Sequence, residues 1–172
     1  MIKTTFILAV YFTIMAAIPG FGQTAKKHTP SFSMGVVAAE PTGDLALVTP
    51  FGLGSSIKAI FPVSGNRGFT VSAGYLYLLK KTIFGETTGG FHAITLKAGV
   101  RIFANNGFYV EPETGFTFLG MEDGGDVAFT YAGNIGYVIN NKIDVSARYE
   151  GSIKYGPSVT FLGVRIARSF TL

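Results

Sequence analysis

Apolar and polar residues alternate one by one along most of the chain. The clearest run, residues 94–102, has Ile, Leu, Ala, Val and Ile at its even positions and Thr, Lys, Gly and Arg between them. Residues 143–150 repeat the pattern, with apolar residues at the odd positions and polar ones at the even positions. A period of two residues is the signature of a β-strand, because its successive side chains point to opposite faces. The sequence therefore predicts a protein built from strands.

Turn-forming residues divide the chain into eight such runs, at 31–39, 51–62, 68–78, 91–103, 108–120, 127–138, 143–152 and 158–172. Three connections are tight, at 64–66, 105–107 and 140–142, and they alternate with connections of variable length at 40–50, 79–90, 121–126 and 153–157. This alternation predicts an eight-stranded, up-and-down antiparallel meander. Strands of about 9–12 residues exceed the ~5–6 usual in soluble sheets and match strands that cross a membrane.

Aromatic residues recur at both ends of the apolar face. Phe69 and Tyr77 are eight residues apart on one predicted strand, and positions 108 and 116, and 129 and 137, repeat this spacing. Eight residues of a tilted strand rise about 20 Å, close to the ~25 Å apolar band that separates the two aromatic girdles of an outer-membrane barrel. We therefore expect an apolar face that contacts lipid, with girdles formed by Phe61, Phe69, Tyr77, Phe108, Phe116, Phe129, Tyr137, Tyr149 and Phe170.

The opposite face carries nine charged residues, five basic and four acidic, with many glycine and serine residues between them. Small residues suit a crowded interior because they leave room for long neighbours. Eight strands enclose an interior that side chains just fill, so we expect paired charges that plug the lumen. In the expected register Arg101 faces Glu111, and Lys97 lies diagonal to Glu113. The predicted lumen charge network is Lys58, Lys97, Arg101, Glu111, Glu113, Asp144, Arg148, Glu150 and Arg165.

Two residues fit a closed barrel less well. Pro112 lies inside the fifth predicted strand and has no N–H to donate, so we expect a bulge or a missing hydrogen bond beside it. Arg168 has outward parity, and we expect its side chain to extend to the lipid headgroups. The same alternation also describes a soluble lipocalin-like barrel, which would bind a hydrophobic ligand inside and leave the nine charges on its surface. The two alternatives differ in which face is inside.

The first residues follow a different pattern. Lys3 precedes an apolar run from 6 to 18, and small residues follow at 20–22. This run is shorter than a membrane-spanning helix and is typical of a secretory signal peptide. We therefore expect a signal peptide at 1–22, cleaved just before Gln23, then a leader at 23–30 and one barrel domain at 31–172.

Composition narrows the function classes. The chain is 48% hydrophobic and 14% charged, which excludes a disordered protein. It has no cysteine, which excludes a disulfide scaffold, a zinc ribbon and a thiol enzyme. The formal net charge of +4 is too small and too scattered for nucleic-acid binding. The glycine-rich stretches lack the lysine and the strand-to-helix context of a phosphate-binding loop.

Candidate chemistry is sparse. His92 is the only histidine in a predicted strand, with Glu86 in the adjoining loop, whereas His28 lies in the leader. A lipid hydrolase would also need a serine beside the imidazole, and the nearby positions offer threonines. The acidic loop at 122–126 has the composition of a calcium-binding loop but is first of all a hairpin tip. We therefore predict no enzyme, no catalytic residue, no cofactor and no metal site.

The runs 91–101, 107–111, 144–150 and 161–165 resemble the hairpins of small outer-membrane β-barrel proteins, and more narrowly the OmpA/OmpX-like set of Bacteroidetes-type bacteria. The resemblance covers the whole mature chain and implies a place in the outer membrane of a Gram-negative bacterium, in contact with lipopolysaccharide and phospholipid. Members of the set usually end in an aromatic residue that the barrel-insertion machinery recognises, and here Phe170 stands two places before the end.

We expect a monomer with a structural or surface-interaction role that is not a general pore. The alternatives are the soluble lipocalin-like carrier and a lipid-modifying outer-membrane enzyme.

Overall fold

The computed structural model describes residues 29–43, 45–80, 82–83, 86–87, 90–104, 107–121, 124–153 and 159–171. The predicted signal peptide at 1–22 and the leader up to residue 28 lie outside the described residues.

Eight long strands close into one antiparallel barrel, as the alternation predicts. They are β1 (Ser31–Thr42), β2 (Gly52–Ser64), β3 (Arg67–Leu78), β6 (Phe91–Phe103), β7 (Phe108–Met121), β8 (Gly124–Ile139), β9 (Ile143–Ile153) and β10 (Val159–Thr171). Each strand pairs with its neighbour along the chain, and β1 pairs with β10 from Ser31↔Thr171 to Thr42↔Thr160 to complete the ring. The predicted fold class is confirmed.

The sequence reading missed two small elements in the longer connections. A short helix, α1 (Leu45–Val48), follows β1, and a two-stranded ladder of β4 (Thr82–Ile83) and β5 (Glu86–Thr87) follows β3. Among the described residues, no helix is long and apolar enough to cross a membrane.

Several strands extend into the predicted connections. Strand β1 continues through Pro41 to Thr42, and β2 continues to Ser64. Strands β7 and β8 continue to Met121 and from Gly124, and they pair there as Met121↔Gly124. The backbone at 124–126 therefore belongs to a strand and not to an acidic loop, while Glu122 and Asp123 lie outside the described residues. The prediction was wrong because glycine and aspartate are common in turns, whereas here they extend a ladder already fixed by the residues before them.

The backbone conformation of the tight turn between β8 and β9 explains why asparagine occupies two of its positions. Asn140 and Asn141 have φ angles of 51° and 56°, and the amide of Lys142 donates to the carbonyl of Ile139 at 3.0 Å. Two successive positive φ angles define a type I′ turn, whose twist matches that of paired strands. Asparagine tolerates this left-handed conformation better than other non-glycine residues.

Pro112 leaves a gap in the ladder and no bulge. Strands β6 and β7 pair at Gly99↔Glu113 and at Ile102↔Val110, and the two intervening residue pairs are not formed. The register is the same on both sides of the gap. On the other side of β7, Pro112 pairs with Gly133 of β8. The predicted loss of hydrogen bonding beside the proline is therefore observed. The predicted bulge is not, because the gap contains no extra residue.

The apolar face of every barrel strand points outward. Ile94 and Leu96 are 54% and 55% exposed, whereas Lys97 and Arg101 are 2% and 1% exposed. A soluble lipocalin-like barrel requires the opposite arrangement, so the geometry excludes that alternative. A wall of exposed Ile, Leu, Val and Phe around a closed barrel is stable only against hydrocarbon.

Candidate functional site: the charged lumen

The structure places all nine charged residues of the predicted network inside the barrel. Eight of them are buried, and Arg148 is partly buried. The inward parity of each strand carries them there, because the side chains at every second position point to the barrel axis. Within the ring they form two adjoining clusters.

The first cluster lies toward the end with the tight turns and centres on Glu111 and Asp144. Glu111 pairs with Lys58 and with Nε of Arg101. Asp144 Oδ2 lies 3.0 Å from Nη2 of Arg101 and 3.6 Å from Nη1 of Arg165. Each acid is therefore shared between two cations.

Neutral side chains complete this cluster. The hydroxyl of Tyr109 donates to Asp144 Oδ1 at 2.5 Å, and the guanidinium of Arg101 lies 3.7 Å from the centre of the Tyr109 ring. Arg165 donates to Ser56 at 2.7 Å and to Ser33 at 2.9 Å. These contacts matter because a buried charge is tolerated only when it is paired and hydrogen-bonded. Arg101 Nη2, Arg165 Nη1 and Asp144 Oδ2 form no hydrogen bond and are held by their ion pairs alone.

The second cluster lies nearer the middle of the barrel and surrounds Glu113. Its carboxylate accepts hydrogen bonds from Ser72 at 2.8 Å and from Asn134 at 2.9 Å, and Lys58 Nζ lies 3.3 Å away. Arg148 lies 4.0 Å from Glu113 and 3.2 Å from Glu150. Every barrel strand contributes at least one side chain to the two clusters, so the network connects the whole ring.

The sequence predicted both neighbour relations on this hairpin but not the partner of Lys97. Arg101 and Glu111 form an ion pair. Lys97 lies diagonal to Glu113 in the strand register, but its ion pair is with Glu150 of β9. Sheet register fixes only contacts between adjacent strands, and β9 is three strands away from β6 around the ring. The lysine stem is long enough to reach across the narrow lumen.

Two further layers lie above the charges, toward the longer connections. Thr130 hydrogen-bonds to Thr117 at 2.6 Å and to Ser152 at 2.9 Å. Above them Ala39, Leu78 and Phe161 form a buried apolar cluster, against which Leu76, Phe91 and Val159 pack. Thr49, which follows α1, is fully buried and donates to the carbonyl of Leu79 at 2.7 Å. The sequence reading missed this apolar layer, although Leu76, Leu78 and Phe91 occur on the otherwise polar face.

A cavity of about 30 Å³ remains between the charges and the apolar layer. Thr95, Thr117, Arg148 and Glu150 line its polar side, and Val37, Ala39 and Phe161 line its apolar side. A volume of this size holds about one or two water molecules.

The predicted girdle residues all lie on the outward face, and several are direct cross-strand partners. Phe61 faces Phe69, Phe108 faces Tyr137, and Phe116 faces Phe129 with ring centres 6.2 Å apart. Phe170 lies 6.5 Å from Phe32 across the β1–β10 seam. Tyr77, near the end with the longer connections, and Tyr149, near the middle of β9, also point outward.

His92 lies on the outward face and not in the lumen. Its Nδ1 is 2.6 Å from the hydroxyl of Tyr75, and its ring lies 5.0 Å from that of Tyr77. Within the described part of the chain, no serine is hydrogen-bonded to the imidazole. The same part of the chain contains no cluster of His, Asp and Glu that could hold a metal ion.

No protein-family model matches the sequence, and no curated protein does. Solved structures do match. The attachment invasion locus protein Ail of Yersinia pestis aligns over 83% of this chain and 99% of its own, with a TM-score of 0.56 and 13% identity. The N-terminal β-barrel domain of Pseudomonas aeruginosa OprF aligns over 81% and 97%, with a TM-score of 0.57 and 11% identity. Neisserial surface protein A aligns over 83% and 97%, with a TM-score of 0.54 and 12% identity.

The fold is therefore that of the small eight-stranded outer-membrane β-barrels. Together with the apolar exterior, it assigns the chain to the outer membrane of a Gram-negative bacterium, as the residue pattern predicts.

Proposed function

We propose that this protein is an outer-membrane barrel with a sealed lumen, whose role is structural or surface-interacting and not that of a general pore or an enzyme. The observation that carries the proposal is the charged network of the lumen. Its ion pairs join β2, β6, β7, β9 and β10, and hydrogen bonds of Ser33, Ser72 and Asn134 connect the other three barrel strands to it. A cavity of about 30 Å³ lies above this network. The resemblance to the Bacteroidetes-type set, drawn from the quoted runs, remains part of this proposal.

The energetics of the lumen favour a plug. An ion crossing the barrel has to separate pairs such as Arg101–Glu111 and Lys97–Glu150. Removing one partner of a buried pair typically costs about 3–5 kcal/mol, because the other charge is left uncompensated. Beyond the charges, the ion meets the apolar layer around Leu78 and Phe161, which offers it no ligands. The two barriers act in series.

Conductance in planar bilayers tests the sealed lumen. We expect no steady openings on the nanosiemens scale from the wild-type barrel. Arg148→Ala, which removes the least buried charge and enlarges the cavity, should give more frequent brief current events than the wild type. Ile94→Ala, on the lipid-facing side, is the matched control and should behave as the wild type. Steady openings of the wild type on the nanosiemens scale would contradict the proposal that the lumen is sealed.

The proposed partners follow from the same geometry. Lipopolysaccharide and phospholipid surround the apolar wall, and the barrel-insertion machinery meets the last strand, where Phe170 is exposed on the outer face. The longer connections face the cell exterior, as is usual for these barrels, and offer the surface for any external contact. We propose a monomer, since the ring closes on itself through β1 and β10 and leaves no unpaired barrel edge.

The lipid-modifying enzyme remains the alternative from another class. It predicts an altered lipid A in cells that have the protein, and loss of that alteration in His92→Ala. The imidazole of His92 is hydrogen-bonded to the hydroxyl of Tyr75. This contact favours a packing role for His92 on the outer face of the barrel.

A further inference from the structure

The exposed charges outside the lumen are distributed unevenly between the two ends of the barrel. At the end with the tight turns, the described charged side chains are Arg67, Lys142 and Arg168, all basic and all exposed. At the opposite end they are Glu40, Lys80 and Asp126, also exposed. Short turns face the periplasm in barrels of this kind, so the cationic end lies at the periplasmic leaflet.

Two of these cations lie close together in the backbone at the tight-turn end of β9 and β10. Arg168 pairs with Ile143, the first residue of β9, and the carbonyl of Lys142 accepts a hydrogen bond from the amide of Ser169 at 2.7 Å. The type I′ turn at Asn140 and Asn141 fixes Lys142 in this place. The backbone thus places the two basic residues one position apart on neighbouring strands, at the level where the membrane meets the periplasm.

The side chain of Arg168 is directed to that level. Its guanidinium carbon lies 5.6 Å from the centre of the Phe170 ring, two residues nearer the end of the strand. Phe170 in turn lies against Phe32 of β1. The arginine therefore extends from a lipid-facing position to the membrane edge, with an aromatic pair beside it in the apolar zone.

We propose that Lys142, Arg168 and Phe170 form a binding site for the headgroup of an anionic phospholipid of the periplasmic leaflet. The guanidinium of Arg168 and the ammonium of Lys142 pair with the lipid phosphate. The rings of Phe170 and Phe32 contact the acyl chains close to the headgroup. A zwitterionic lipid carries the same phosphate with a cation attached, so it gains less from two neighbouring positive charges. The inference rests on the barrel lying in the membrane and does not depend on whether the lumen is sealed.

The test is native mass spectrometry of the folded mature barrel in detergent micelles, titrated with phosphatidylglycerol and with phosphatidylethanolamine. The wild type should bind phosphatidylglycerol more tightly. Each Lys or Arg near an anionic lipid surface contributes about fivefold in affinity, so Lys142→Gln and Arg168→Gln should each weaken this binding about fivefold, and together more. Heat-modifiable gel migration checks that each variant is folded.

Arg67→Gln is the matched control, since Arg67 lies at the same end but three strands away from β10. It should change phosphatidylglycerol binding by less than about twofold, because it is not part of the site. Equal binding of the two lipids by the wild type would overturn the proposal. An equal loss in Arg67→Gln and Arg168→Gln would also overturn it, since it would indicate a diffuse charge effect. Displacement of the lipid by inorganic phosphate would likewise count against a headgroup site.

Discussion

At the scale of single residues, the lumen places a large side chain opposite a glycine on the neighbouring strand. Tyr109 is 1% exposed, and its ring lies across Gly136 of the neighbouring strand, where an added Cβ would be 2.7 Å from the ring carbon Cε1. The same tyrosine donates to Asp144 and stacks under Arg101. The glycine thus gives Tyr109 the room that lets it support two members of the charge network.

Gly136→Ala should therefore destabilise the barrel. Overpacking of a filled interior typically costs about 1–3 kcal/mol, because Tyr109 has to move from its hydrogen bond to Asp144. Gly133 provides the matched control, since it lies on the same strand, faces outward and has no atom within 4 Å of an added Cβ. Gly133→Ala should leave the free energy of unfolding unchanged or slightly raised. Urea unfolding in phospholipid vesicles measures both, and equal effects would contradict the packing argument.

At the scale of elements, local residue chemistry predicted the strands well and their ends less well. The predicted runs 68–78, 91–103 and 143–152 each agree within one residue with β3, β6 and β9. At 121–126 the turn-forming residues led to the prediction of a loop, whereas the ladder of β7 and β8 continues there through glycine. Pairing with an established neighbour strand outweighs the weak preference of a single residue. No local sequence pattern predicted α1, which is a four-residue helix in the connection between β1 and β2.

The β8–β9 turn gives a prediction at this scale. A residue with a Cβ and no polar side chain is strained by about 1–2 kcal/mol in the left-handed region, so Asn141→Ala should lower the free energy of unfolding by about that amount. Asn141→Gly relieves the strain and should be neutral or slightly stabilising. Unfolding in vesicles compares the two. If alanine and glycine had the same effect, the φ of 56° would not be what selects asparagine here.

At the scale of the whole molecule, the apolar wall and the polar lumen depend on the surrounding bilayer. Leu96 lies near the middle of β6 and Val63 near the end of β2 at its tight turn, and both are exposed on the outer face. An arginine at the bilayer midplane costs about 2–4 kcal/mol, against about 0–1 near the interface. Leu96→Arg should therefore destabilise the barrel in vesicles far more than Val63→Arg. Similar small effects for both would show that the wall does not contact hydrocarbon.

The sequence by itself determined which residues form strands, which face of each strand is apolar, and where the tight turns fall. It could do so because these features depend on neighbouring residues: alternation sets the faces, and asparagine or glycine allows the turn. Only the tertiary structure decided that Lys97 meets Glu150, that Lys58 meets Glu111, and that Leu78 and Phe161 pack together inside the barrel. These contacts join strands that are far apart in sequence, and their partners depend on how the closed ring staggers its strands.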